Sequence, residues 1–481
     1  HAITTLIVTA CFLLFYFVFI VTGCNNQPKD DRTVITYAGW NLGPADSEVP
    51  NMERLMINEF MKKYPDIKVE IIERPKKPGT TDDMDWKDFL AGQASTESLP
   101  DVYMTANIPN DVINHYSYDI TSIAMADPEY LNVNESIRNA VVYDGKVLAL
   151  PNSVHYAGYV INKTLYEAQG QAVPTVDTTM EQLLTMTKAA ANHSSTTQQG
   201  IVGFEGIEHI LHWYPAQLNP DFEWFTLSDD GFHLDSTEFD QTMALYRQLQ
   251  TDPTFVLEAL QQAAGVEGSG INLEEIFGTN DYVNNGIILC KYHYSWDFGW
   301  IQARINSGEY TWDLDFIGTP VVNGSKRIPI VADFFTIASS TKHPEEAYLL
   351  AKWMGFGREG YAKRLELSKT VEGISQVNFA PIQNDEELLD EYFELYPSFT
   401  GLRTVIESGN FIVEPVKFLP GYDNARYQGT YDAENKMGTI ITKLCLGEVQ
   451  LSDIKTQLNV RINQLYNEAR QAFEEALDLY Y

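Results

Sequence analysis

Between Thr33 and Asn162 the chain alternates short β-type runs with helical stretches, and this alternation constrains the fold more than any other feature. "VITYAGW" (Val34 to Trp40) reads as a first strand. Pro50 then opens a helix whose apolar residues Met52, Leu55, Met56, Phe60 and Tyr64 follow helical spacing, and Pro65 closes it. "IKVEII" and "DVYMT" read as the next strands, the turn at Tyr143 to Gly145 leads into "KVLALP", and "AGYVIN" continues as a strand. After a more helical middle, strands return with "GIILCKYHY", "LDFIGTPV" and "FFTIAS" before a helical C-terminal third. Strands that alternate with helices predict an α/β protein with mostly parallel sheets.

The first 27 residues contain no Lys, Arg, Asp or Glu, which is the pattern of a membrane-inserting segment. Its end, "VTGC", resembles the lipobox of bacterial lipoproteins, with Cys24 as the acylated residue. An uncleaved transmembrane helix with an incidental cysteine is the alternative. The lipobox reading makes residues 1–23 a signal peptide and 24–32 a lipidated tether. No basic residue precedes the apolar run, so the start of the signal is expected upstream of His1. The remaining chain carries the full formal charge of −33, which disfavours nucleic acid, because such a surface cannot replace phosphate counterions. Cys11 falls in the signal, and Cys290 and Cys445 are left to form either one disulfide or two separate thiols.

No nucleophile elbow, phosphate-cradling glycine loop or dinucleotide fingerprint is present. "EHILH" sets His209 and His212 on one helical face beside Glu208, which a metal could use, although the His-Glu-x-x-His order is missing and a surface or core pair is the simpler reading. Asp313 and Asp315 form one of many carboxylate pairs among 66 acidic residues. No cofactor is expected. The aromatic load is more informative, with 8 Trp, 27 Tyr and 24 Phe, several of them where strands hand over to loops. A sugar packs its C–H face on an aromatic ring and offers its hydroxyls to carboxylates and amides. That chemistry singles out Trp40 with Asn41, Trp296 and Trp300 around Asp297, Asp333 with Phe334, and His155 with Tyr156 as ligand-binding candidates. Trp300 reads equally as the buried face of a helix; Trp213 and Trp224 read as core or cleft wall, and Trp353 as core.

The order of these segments resembles the extracellular solute-binding proteins of ABC importers, specifically the carbohydrate-binding group that includes maltose-binding protein. The resemblance rests on "VITYAGWN…MINEFMKKYPDIKVEIIE", "ESLPDVYMT", "YDGKVLALPNSVHYAGYVINKTLYEAQG", "NNGIILCKYHYSW" and "FFTIASSTKHPEEAYLLAKWM". It covers nearly the whole chain after the tether, and departs from the family pattern at "VPTVDTTMEQLL", which lacks the usual Trp. What it implies is a two-lobe periplasmic-binding-protein-like fold of type II with the ligand between the lobes. The first lobe is expected over 31–152 plus 310–353 and the second over 153–309 plus 354–481. The implied function is capture of a carbohydrate, an oligosaccharide above all, by a non-enzymatic monomer anchored through lipid to the outer face of the cytoplasmic membrane, with delivery to ABC permease subunits. A secreted lipoprotein enzyme acting on glycans, or the same fold binding a peptide or another non-sugar solute, are the alternatives.

Overall fold

The computed structural model describes residues 30–194 and 198–480. Cys11, Cys24 and the expected signal peptide lie outside the described residues, as does most of the tether.

Nine strands join into one sheet network with two halves. In the first half, β1 (Thr33–Ala38) lies between β2 (Ile67–Ile71) and β3 (Val102–Thr105), parallel to both. The helix Met52–Lys63 connects β1 to β2; Asn51 caps it by accepting the Arg54 N–H at 3.1 Å, and Met56, Ile57 and Phe60 form its buried stripe. The centre of the network is β4 (Leu150–Asn162), buried over all 13 residues. The second half holds β5 (Val202–Glu205), β6 (Ile288–Tyr294) and β7 (Leu314–Gly318). The chain then returns through β8 (Ile328–Ile337), and β9 (Phe411–Val413) adds beside the start of β8. The order is β2-β1-β3-β8-β4-β6-β5, with β7 also on β4.

The sheet is mixed, not mostly parallel. β4 runs out of the first half and into the second, whereas β6, β7 and β8 run against it, so all three pair with it antiparallel. β4 is therefore continuous through what reads in sequence as a separate run and crossover. Its early residues pair with β8 and its late residues with β6 and β7. Where β7 comes closest, Gly158 is obligatory: a Cβ there would stand 2.5 Å from the Gly318 backbone.

The buried side chains form two large apolar clusters: one joins β1, β3 and β8 and extends under β7 through Leu314 and Phe316, and the other packs about β5, β6 and the opposite face of late β4. The helix Arg358–Thr370 packs on Met52–Lys63, and buried Arg364 grips Glu53 with two hydrogen bonds of 2.6 and 2.8 Å while donating to the Met354 carbonyl. This segment, expected with the second lobe, therefore rides on the first half. Conversely β7, expected with the first lobe, pairs with the second-half end of β4. The C-terminal helix Leu451–Leu477 touches both halves. Asn459 and Asn463 hold the backbone of the hairpin 227–232 and Leu234 in the second half, while Phe473 and Leu477 join the first-half core and Tyr480 packs on His115.

Trp213, Trp224 and Trp353 are buried, and Trp353 donates to the Met56 carbonyl at 2.9 Å. Cys290 and Cys445 are free thiols. No helix among the described residues is long and apolar enough to cross a membrane.

Candidate ligand-binding site

The strands crossing between the halves form the floor of a cavity of about 560 Å³. Alternation along β4 and β8 decides what faces it. Val331 pairs with His155 and Asp333 with Ser153, so His155, Val331 and Asp333 share the cavity side. Their neighbours turn away: Tyr156 packs edge-on to Phe411, and Phe334 is fully buried against Phe418. Neither lines the cavity, for the reason that adjacent strand residues point to opposite faces.

The first half contributes Trp40 and Asn41 from the loop at the end of β1, with Trp40 set edge-on to Trp86 at 5.5 Å. From the second half, the end of β6 contributes Tyr294 and Trp296, two residues apart on one face and stacked with centroids 4.1 Å apart. The edge of His155 meets the Trp296 ring at 5.2 Å. Trp296 keeps 38% of its surface exposed, in contrast to the fully buried Trp213. Asp297 and Trp300 do not line the cavity: Asp297 contacts the His293 ring, and Trp300, on the helix Phe298–Ser307, lies on its exposed side and not its buried face, with the Arg304 guanidinium 5.1 Å from its ring.

The cavity floor is ionic. Lys417 donates to Asp333 Oδ1 at 2.7 Å and to the Ala332 carbonyl at 3.3 Å, Ser153 donates to Asp333 Oδ2 at 3.2 Å, and His155 Nε2 stands 3.6 Å from the same oxygen. Burial opposes ionisation of Asp333, but the His155 imidazole and the Lys417 ammonium outweigh it and hold the carboxyl well below the usual range. Glu414, from the loop after β9, behaves oppositely. Burial pushes its carboxyl up, only partly offset by Lys417. The buried Nδ1 of His155 has no hydrogen-bond partner among the described residues.

The other candidates resolve into structure. His209 stacks on Tyr292 at 3.9 Å and His212 on Trp224 at 5.0 Å, and burial drives the His212 imidazole well down. No group of three or more His, Cys, Asp or Glu side chains among the described residues is arranged to hold a metal. Asp315 caps the helix Thr400–Ser408 by accepting from the Thr400 hydroxyl and the Gly401 N–H.

No family model and no curated protein matches the chain. Solved structures do. An ABC substrate-binding protein from Listeria monocytogenes in complex with cycloalternan aligns over 93% of this chain and 100% of its own, at 17% identity and a TM-score of 0.59. The sugar-binding protein MalE from Xanthomonas citri aligns over 92% of this chain and 99% of its own, at 13% identity and 0.63. A cyclic alpha-maltosyl-1,6-maltose binding protein from Arthrobacter globiformis gives 91% and 100%, at 14% identity and 0.61. The fold is that of the two-lobe solute-binding proteins of ABC transporters.

In a solute-binding fold the cavity at the crossing strands lies between the lobes, and it gathers five of the sequence candidates: Trp40, Asn41, His155, Trp296 and Asp333. Tyr294, Val331, Asn378, Glu414 and Lys417 complete it. Period-two spacing from Trp296 and Asp333 would have found Tyr294 and Val331. Asn378, Glu414 and Lys417 sit on loops distant in sequence, where no periodicity marks them.

Proposed function

We propose that this chain is the extracellular substrate-binding component of an ABC importer, capturing a carbohydrate, chiefly an oligosaccharide, and delivering it to permease subunits in the membrane. The observation that carries this reading is the half-exposed Trp296, stacked on Tyr294 beside the Asp333–Lys417 pair. A ring face next to fixed donors and acceptors is what a sugar's C–H face and hydroxyl rim require. The sugar-binding proteins whose structures the chain resembles support it.

The first lobe in this reading takes the chain to about residue 152 with about 332–395, and the second takes about 157–318 with about 411–466. Ligand contacts to both favour the closed arrangement, and the permease recognises that shape. The protein acts as a monomer, tethered through Cys24 to the outer face of the membrane; a diacylglycerol plus a further acyl group holds firmly where one chain would not.

One observation favours a second reading. Asp333 and Glu414 share the cavity with their ionisation pushed in opposite directions, the pattern of an acid and base pair. Against a glycan-cleaving enzyme stands Lys417, which already occupies Asp333. A thermal-shift screen over a panel of neutral, amino and acidic oligosaccharides tests the proposal, because a ligand bound only by the folded state raises the melting temperature. Stabilisation by a glycan recovered intact supports capture. Cleavage supports the enzyme, and no response to any glycan refutes both.

A further inference from the structure

Glu414 brings a second carboxylate to the cavity beside Asp333. It comes from the loop that follows β9 and lines the cavity together with Trp40, Tyr294 and Trp296. Its neighbour Asp333 is fully provided for, with Lys417 at 2.7 Å and Ser153 at 3.2 Å. Lys417 also donates to the Ala332 carbonyl, and its charge acts on Glu414 without a hydrogen bond between them. Glu414 makes a backbone hydrogen bond to Ile330, but its side chain makes no hydrogen bond or ion pair with any described residue. Glu414 is half-buried, and the Lys417 ammonium offsets only part of the lost solvation, so the remaining cost is relieved by a further cation or avoided by protonation.

The surroundings of Glu414 favour a cation. Three aromatic rings line the same space, and the faces of Trp and Tyr attract ammonium groups through their quadrupoles. The formal charge of −33 makes the approach to the cavity attractive to cations and repulsive to uronates and other acidic glycans. A neutral sugar hydroxyl could donate one hydrogen bond to Glu414, but it would leave the charge in place. An ammonium neutralises it.

We propose that the ligand is an amino-bearing oligosaccharide whose free ammonium pairs with Glu414 beneath the Trp40, Tyr294 and Trp296 rings. The inference rests on the carbohydrate reading and names the substrate class within it. Burial holds the Glu414 carboxyl up, and an ammonium beside it favours the ionised form.

The test compares ligands that differ only at the amine: a β-1,4-linked glucosamine tetramer against its N-acetylated counterpart. Titration calorimetry is run at about pH 6, below the pKa of such an amine, with maltotetraose and cellotetraose as neutral references and spermidine as a non-sugar amine. The wild-type protein is expected to bind the free-amine tetramer at least about tenfold more tightly than the acetylated one. Glu414→Gln should bring that ratio close to one, with its melting curve showing that the variant is folded. If neutral or acetylated glycans bind as tightly as the amine form, the inference is overturned while the carbohydrate reading stands. Tight binding of spermidine with no glycan bound overturns the carbohydrate reading and this inference with it. A wild-type preference that persists in a folded Glu414→Gln overturns the role of Glu414.

Discussion

Replacing Trp296 with alanine separates a ligand platform from a structural ring. A fully buried tryptophan costs about 3–5 kcal/mol when truncated. Trp296 keeps 38% of its surface exposed, so it forfeits only part of that burial, plus its stacking on Tyr294 and its edge contact with His155. Scaling for exposure leaves a stability loss of about 2–3 kcal/mol, of which the stack supplies about 0.5–1.5. On binding, by analogy with bases stacked on aromatic side chains, the ring is worth about 1–3 kcal/mol, or roughly fivefold to 150-fold in affinity. Urea denaturation and calorimetric titration with the best glycan measure the two effects separately. Trp213→Ala, at a ring with no exposure, is the control and should cost the full amount in stability. Unchanged affinity in folded Trp296→Ala refutes the platform, and so does a stability loss as large as that of Trp213→Ala.

Arg364→Met strands Glu53 in a buried pocket and should destabilise the protein by about 3–5 kcal/mol, read as a lower denaturation midpoint; a loss under about 1 kcal/mol would show that the pair does not tie its helix to the first lobe. Burial pushes the Asp111 carboxyl up to about 7 against the hydrogen bonds of Thr105 and Thr336. An unfolded Asp titrates near 4, so between about pH 4 and 7 the folded state holds a proton that the unfolded chain has lost, and stability falls as pH rises, by up to about 4 kcal/mol, then levels off. Denaturation of Asp111→Asn across that window should lack this slope; an identical slope in the variant contradicts the assignment. X-ray scattering should give a smaller radius of gyration with bound glycan than without, and tight binding with no change in size rules out lobe closure. Cys24→Ala should abolish lipid labelling of the full chain in a bacterial host; a variant still labelled and anchored excludes Cys24 as the acylation site.

The strands were legible in sequence where local pattern decides them. "VITYAGW", "IKVEII", "DVYMT" and "GIILCKYHY" all fall on strands. The antiparallel character was not legible, because it follows from the direction in which β4 and β8 cross between the lobes, a long-range property that no window of sequence carries. β8 begins well before "FFTIAS", at Ile328, and the structure accommodates Pro329 opposite Ile412, near the beginning of the strand, where its missing N–H is tolerated. The site was legible in part for a similar reason. Asp333 with Phe334 and His155 with Tyr156 are neighbours on one strand, which alternation sends to opposite faces, so only one member of each pair lines the cavity. Glu414 and Lys417 are supplied by the chain's third visit to the crossing region, and only the folded topology brings them to Asp333.

The helix Leu451–Leu477 has 27 residues, which makes it a rod of about 40 Å. Its second turn is tied to one lobe by Lys455, which pairs with Asp240 at 2.6 Å, its middle turns to the same lobe by Asn459 and Asn463, and its last turns to the other by Phe473 and Leu477. A rod fixed at both ends can bend or roll but hardly stretch, so it removes translation from the relative motion of the bodies it joins. What remains is rotation about an axis near the rod. In the proposed closure the helix serves as the spine of a book: it permits the covers to swing while keeping the pages in register, so that Trp40 on one leaf and Trp296 on the other return to the same spacing each time the volume shuts.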